Sequence, residues 1–167
     1  MRKTKIANGQ GFWGDSIQAP IDLITSADIN YLTLDYLAEI TLSIMQKQKN
    51  KNNLFGYARD FLDLINISGK LLKENKIKLI TNAGGVNPFE CSKALKKILV
   101  SQNINLNIGY IEGDDIYDKL DLLIKQGADL CNMDTGENIE KIRGRICSAN
   151  VYIDSYEIKK ALDNEAD

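Results

Sequence analysis

The stretch Ile77-Lys78-Leu79-Ile80-Thr81-Asn82-Ala83-Gly84-Gly85-Val86-Asn87-Pro88 decides the fold. Ile77 to Ile80 is a short apolar run of strand length. A turn with two glycines follows. Asn87, Pro88 and Glu90 then have the spacing of a helix start, with Asn87 as cap, proline at the first helical position and Glu90 closing a capping box. Beyond it, Cys91, Ala94, Leu95, Ile98 and Leu99 keep the i, i+3, i+4 spacing of a helix with one apolar face. Strand, glycine turn and capped helix make one unit of an α/β fold.

The same unit recurs in both directions. Ile6-Ala7, Tyr31-Leu32-Thr33-Leu34, Ile108-Gly109-Tyr110-Ile111 and a weaker run from Ile146 to Ile153 read as further strands. Helical stripes lie between them, at Leu37, Ile40, Thr41, Ile44 and Met45, and at Tyr57, Phe61, Leu64, Ile65, Ser68 and Leu72. Asp154 and Glu157 repeat the capping-box spacing ahead of Ile158, Ala161 and Leu162. The Lys- and Asn-rich segment from Gln46 to Asn53 reads as a solvated turn. Alternating strands and helices predict an α/β class: a mostly parallel sheet with helices on both faces, in Rossmann-like alternation. Residues 1–167 fit one such domain.

Composition narrows the chemistry. A hydrophobic fraction of 44% suffices for a core, and 26% charged residues is ordinary for a globular protein. The net charge of −2, from 21 basic and 23 acidic residues, gives no footprint for nucleic acid. No apolar run reaches bilayer length, so no membrane partner is expected. The basic start Met1-Arg2-Lys3-Thr4-Lys5 lacks the apolar segment of a signal peptide, which points to the cytoplasm. Cys91, Cys131 and Cys147 are odd in number and lack metal-ligand spacing, so they read as reduced thiols. The chain has no histidine, which removes Ser-His-Asp, Cys-His and His-ligated metal chemistry. Acid–base work falls to carboxylates, lysines, tyrosines or cysteines.

Ligands of open parallel sheets bind beyond the carboxyl ends of the strands. The residues there are glycines, amides and carboxylates. The first loop holds Asn8, Gly9, Gly11, Phe12, Trp13, Gly14 and Asp15. The second holds Asp35 and Glu39, the third Asn82, Gly84, Gly85 and Asn87, and the fourth Asp114 and Asp115. Asn150 follows in the last candidate strand. These loops are expected to converge on one oxygen-rich pocket for a small-molecule ligand. The carboxylates Asp15, Asp35, Glu39 and Asp114 are the candidate catalytic groups.

Each motif keeps two readings. Gly9-x-Gly11-x-x-Gly14, with Asp35 about 20 residues on, meets the dinucleotide spacing and suggests NAD. Phe12 and Trp13 are bulky for a diphosphate cradle, however, and Asp15 puts negative charge where the diphosphate would lie. The alternative is a turn capped onto its helix by Asp15 or Ser16. Asp35 and Glu39 share a face if a helix starts at Tyr36, and would then act as base and partner or as magnesium ligands. Otherwise Asp35 is a cap and Glu39 is solvated. Asn82-Ala83-Gly84-Gly85 is either an anion-binding turn or a turn that needs glycine geometry. Asp114-Asp115 would bind a cation or cap a helix. Cys91 falls on the apolar stripe of its helix, and Cys147 near a strand-end loop would be the reactive thiol if there is one.

Six blocks together resemble the acyclic terpene utilisation protein A family. They are Asn8 to Asp15, Asp35 to Glu39, Gly56-Tyr57-Ala58-Arg59-Asp60-Phe61, Asn82 to Pro88, Gly113-Asp114-Asp115, and Ser148-Ala149-Asn150-Val151-Tyr152. The resemblance implies a place in bacterial catabolism of acyclic terpenes such as citronellol and geraniol. There, branched acids are activated as coenzyme A thioesters and carboxylated. In that setting the residues keep two readings: an acyl or acyl-CoA ligand handled by carboxylate-based lyase, hydratase or hydrolase chemistry, or a non-catalytic accessory subunit of a carboxylase-type complex. Members of that family continue with a further strand and a glycine-arginine motif. This chain stops at Ala166-Asp167, so a fragment, or a partner chain supplying the remainder, is expected.

Overall fold

The computed structural model describes residues 3–167. Met1 and Arg2, which open the basic N-terminal run, lie outside the described residues. The chain is α/β and forms two compact units, one of residues 3–111 with 154–167, the other of residues 112–153.

The first unit is built on three parallel strands, β1 (Ile6–Gln10), β2 (Tyr31–Leu34) and β3 (Lys78–Thr81), in the order β1-β2-β3. Register runs Ala7, Leu32, Leu79 across the sheet, then Asn8, Thr33, Ile80. Five helices belong to this unit: α1 (Gln18–Ser26), α2 (Glu39–Lys51), α3 (Asp60–Glu74), α4 (Pro88–Ser101) and, after the second unit, α6 (Ser155–Asp163). A monotonic strand order with right-handed crossovers sends the connecting helices to one side of the sheet. Accordingly α1 packs on β1 and β2, α3 on α1, and α4 on α3. Leu32 and Leu34 point into that layer, with Ile24, Phe61, Leu64, Leu72, Leu95 and Leu99. The other face is open over β1, where Ile6 is 67% exposed. Cover on both faces, expected from the alternation, is therefore missing over that strand.

Four expectations from the sequence give way to tertiary contacts. The Lys- and Asn-rich stretch is helical as far as Lys51, because Met45 and Gln46 are buried and Lys49 Nζ donates to the Val86 carbonyl at 2.7 Å. Ile108 to Ile111 is not a strand. The backbone of its neighbour Asn107 instead bonds Asp167: its N–H donates to the side-chain Oδ2 at 2.9 Å, and its carbonyl accepts from the Asp167 N–H at 2.9 Å. The run from Ile146 to Ile153 forms a single antiparallel bridge, Asp115 with Asn150, rather than a strand. Asn87 does not cap α4 with its side chain, although Pro88 does open the helix. Its amide nitrogen donates to the carbonyls of Asn53 at 2.8 Å and Phe55 at 2.7 Å and ties down the α2–α3 loop. Asp154 does cap its helix, its carboxylate accepting from the Tyr156 N–H, without the reciprocal Glu157 bond of a capping box.

The second unit holds one short helix, α5 (Leu120–Lys125), and 3-10 turns at Tyr117–Lys119, Ile139–Lys141 and Arg143–Arg145. Arg143 bonds Asp121 at 2.8 Å and lies over the Tyr117 ring. Its hydrogen bond and charge hold the Asp121 carboxyl below the ordinary aspartate value. Among the described residues, no helix is long and apolar enough to cross a membrane.

Two measurements check this packing. Cys91 is buried, and burial pushes its thiol up to about 12, whereas Cys131 and Cys147 are exposed. A thiol reagent should modify Cys131 and Cys147 quickly and Cys91 only on denaturation; rapid labelling of all three in native buffer would contradict the core described. Burial pushes the Asp167 carboxyl up, but the Asn107 N–H and the Lys78 ammonium outweigh it and hold it below its ordinary value. A lowered aspartate stabilises the fold above the unfolded-state value of about 4 and loses that effect as pH falls through its own. The melting-point gap between the native chain and Asp167→Asn should therefore be largest above about pH 4 and close towards pH 2.

Candidate functional site

At the carboxyl ends of β1, β2 and β3, four loops meet through specific hydrogen bonds. The hub is Asn82, one residue past β3. Its Nδ2 donates to Asp35 Oδ1 at 2.7 Å, and its Oδ1 accepts from the Tyr36 N–H at 2.7 Å. The amide thus continues the β2–β3 ladder one step beyond the last backbone pair, Leu34 with Thr81. Asp35 in turn donates its N–H to the Gln10 carbonyl at 3.1 Å, which brings in the end of β1. Ala58 N–H donates to the Ala83 carbonyl and Val86 N–H to the Gly56 carbonyl, both at 2.9 Å, which brings in the α2–α3 loop.

Asp35 is exposed, and its Oδ1 also accepts from the Leu37 N–H at 3.2 Å. Helix α2 begins at Glu39, not at Tyr36, because Tyr36 is drawn fully into the core and Ala38 is extended. Asp35 and Glu39 therefore do not share a helix turn, and Glu39 lies exposed in the first turn of α2. Among the described residues, no group of three or more aspartates, glutamates and cysteines is gathered as a metal site.

The glycines of the first loop serve different ends. Gly9 lies inside β1, at a shift in the β1–β2 register, where a Cβ would stand 2.9 Å from Pro20 Cβ of α1. Gly14 has φ +96°, which an L side chain resists. Just after Gly14, Asp15 folds back: Oδ2 accepts from the Gly11 N–H at 3.2 Å and Oδ1 from the Ser16 N–H at 2.7 Å. These backbone donors already hold an anion of the protein's own. Helix α1 starts only at Gln18, and Ser16 Oγ accepts from the Gln18 N–H. Trp13 is half-buried and donates its indole N–H to Asp60 Oδ1 at 3.1 Å, while Phe12 stays exposed. Asn8, on the open face of β1, accepts from the Thr33 hydroxyl at 3.1 Å.

In the third loop the amides face inward. Ala83 N–H donates to Thr81 Oγ1, Gly85 N–H to the Asn82 carbonyl, and Asn87 N–H to the Gly84 carbonyl. A Cβ on Gly84 would fall 2.8 Å from Pro88 Cβ, and one on Gly85 would fall 2.3 Å from Met45 Sδ and 2.6 Å from the Gly56 carbonyl oxygen. Both glycines are required by the seat of α2 and α4. In the second unit Asp114 and Asn150 are brought together, Asn150 Nδ2 donating to Asp114 Oδ2 at 3.0 Å. Asp115 Oδ1 accepts from the Tyr117 N–H and starts the 3-10 turn there.

Three residues in this cluster were not singled out from the sequence: Gln10, Tyr36 and Asp60. Gln10 and Tyr36 are buried beneath the first loop. Burial, and then the Asp60 charge, push the Tyr36 hydroxyl well above the ordinary tyrosine value. Asp60 was visible only as part of the block Gly56 to Phe61.

Sheet and loops define an α/β protein whose polar side chains gather at the carboxyl ends of parallel strands. The model of the family described as acyclic terpene utilisation family protein AtuA matches residues 4–167, and the chain belongs to that family. No curated protein and no solved structure matches it.

Replacing Gly85 tests the seat of α2. Gly85→Ala meets both a left-handed φ of +54° and a sulfur at 2.3 Å. It should cost about 2–4 kcal/mol, the strain and overpacking together. A denaturant midpoint unchanged from the native chain would show that the turn is looser than described.

Proposed function

We propose that the loop cluster at the carboxyl end of the sheet binds a small acyl ligand, free or as its coenzyme A thioester, in branched-acid catabolism. Asp35 would be its proton-transfer or polar-recognition group. One observation carries this reading: Asp35 is an exposed carboxylate fixed through one oxygen by Asn82 and the Leu37 N–H, where β1, β2 and β3 end together. A carboxylate oriented in this way is prepared to accept a proton or a ligand hydrogen bond without first being ordered. Family membership supports the metabolic setting. Asp15 is a weaker candidate for the same role, since both its oxygens accept bonds within its own loop.

Thermal melts with coenzyme A, isovaleryl-CoA, NAD and magnesium test the reading. A ligand at about 100 times its Kd adds about 2.7 kcal/mol, which in a domain of this size raises Tm by about 5–10 °C. Isovaleryl-CoA should do so and NAD should not. Asp35→Asn keeps an acceptor for Asn82 and Leu37, so its own Tm should stay close to native. Its response to isovaleryl-CoA, or any turnover of it, should fall by about 10²-fold or more. A full response in Asp35→Asn would remove Asp35 from the site. A chain that ignores all four ligands until a second protein is added would be an accessory subunit instead.

A further inference from the structure

The segment from Ile40 to Arg59 holds four cations, Lys47, Lys49, Lys51 and Arg59, and no carboxylate, in a chain whose net charge is −2. Protein surfaces ordinarily mix the two signs. Lys49 is taken up by the Val86 carbonyl. Lys51 and Arg59 are exposed, and neither has an ion pair among the described residues.

Arg59 instead lies over the ring of Phe55, with Cζ 5.5 Å from the centroid. Phe55 is itself 37% exposed, so the pair forms a stack at the surface. Its backbone is fixed. The Phe55 N–H donates to the carbonyl of Asn52, the residue after Lys51, at 2.9 Å, and the Phe55 carbonyl accepts from Asn87 Nδ2 at 2.7 Å. Beside Arg59, the Ala58 N–H donates to the carbonyl of Ala83, which follows Asn82, the partner of Asp35. The stack is thus tied into the loop cluster that presents Asp35.

A guanidinium on an aromatic ring offers a flat π surface and several N–H donors at one place. Nucleobases lie on aromatic rings and guanidinium planes alike. Phosphate groups take charge-assisted hydrogen bonds from arginine and lysine. A simple carboxylate would use the cations but not the ring, and an apolar group would use the ring but not the cations. An adenosine phosphate uses both.

We propose that Phe55 and Arg59 form a platform for an adenosine phosphate, the base on the stack and the phosphates on the guanidinium, in the positive field to which Lys51 adds. This deepens the acyl-CoA reading of the loop cluster and rests on it for the ligand: the platform holds the nucleotide of coenzyme A, and the acyl end is left to Asp35.

Calorimetric titration of the full chain tests this, with adenosine 3′,5′-bisphosphate, ATP, inorganic phosphate, isovaleryl-CoA and isovaleryl-pantetheine as probes. The native chain is compared with Arg59→Gln and Phe55→Leu. Both side chains are exposed, so both variants should melt close to the native chain. The bisphosphate should bind the native chain, less tightly as salt rises, and at least about tenfold more weakly in each variant. Isovaleryl-CoA should lose the same factor. Isovaleryl-pantetheine, which lacks the nucleotide, should bind the variants as it binds the native chain. Variants that keep native affinity for the nucleotides would overturn the proposal. So would inorganic phosphate binding as tightly as the bisphosphate, which would reduce the platform to a patch of charge. A native chain that binds neither nucleotide also overturns it; if that chain still binds isovaleryl-pantetheine and Asp35→Asn does not, the platform falls and the Asp35 site stands. ATP binding at least about tenfold more tightly than the bisphosphate, and lost in both variants, would keep the platform and remove coenzyme A as its ligand.

Discussion

The side chain of Asn82 stands where a longer sheet would have its next backbone pair. Donating to Asp35 and accepting from the Tyr36 N–H, it holds β2 and β3 in register past their last ladder bond. Much else depends on that step. With its N–H fixed, residue 36 stays outside the helix, and its ring drops into the core against Phe61. The start of α2 is pushed to Glu39, and Asp35 is left oriented and exposed. A leucine in place of Asn82 would leave the Tyr36 amide unpaired at a buried position and free Asp35 to turn.

A second constraint comes from close approach. Met45 of α2 rests on Gly85, and the Gly56 carbonyl accepts from Val86 N–H beside it. The turn can take this load only because position 85 has no side chain and can hold a positive φ. The amides of Ala83, Gly85 and Asn87 are taken up within the turn itself, by Thr81 Oγ1 and the Asn82 and Gly84 carbonyls. What resembles an anion cradle in sequence is largely a bearing surface for two helices. The chemistry left exposed at this end of the sheet is carboxylate and amide rather than backbone N–H.

Sealed polar atoms complete the picture. Polar groups buried in a core are held there by hydrogen bonds. The Ser68 hydroxyl, fully buried in α3, donates to the Leu64 carbonyl at 2.7 Å, and beneath the first loop Gln10 Nε2 donates to the Asp15 carbonyl at 3.2 Å.

The sequence by itself determined the α/β class, the three strands that form the sheet, the helix start at Pro88 and the family, because these rest on short-range signals: apolar runs, helical spacing and local blocks. It also placed Asn82, Asp35, Trp13, Gly11, Gly14, Gly84 and Gly85 in loops at strand ends, although Gly9, read as part of the first loop, falls inside β1. Only the tertiary structure decided what each of them touches. Whether Ile108 to Ile111 becomes a strand depends on whether its backbone meets β3 or Asp167, residues far away along the chain. Whether Asp35 and Glu39 share a face depends on a bond from Asn82. Gln10 and Tyr36, far apart along the chain, become neighbours, with Asp60 close to Tyr36, only in the fold. Each is a contact between distant residues, which no local pattern encodes.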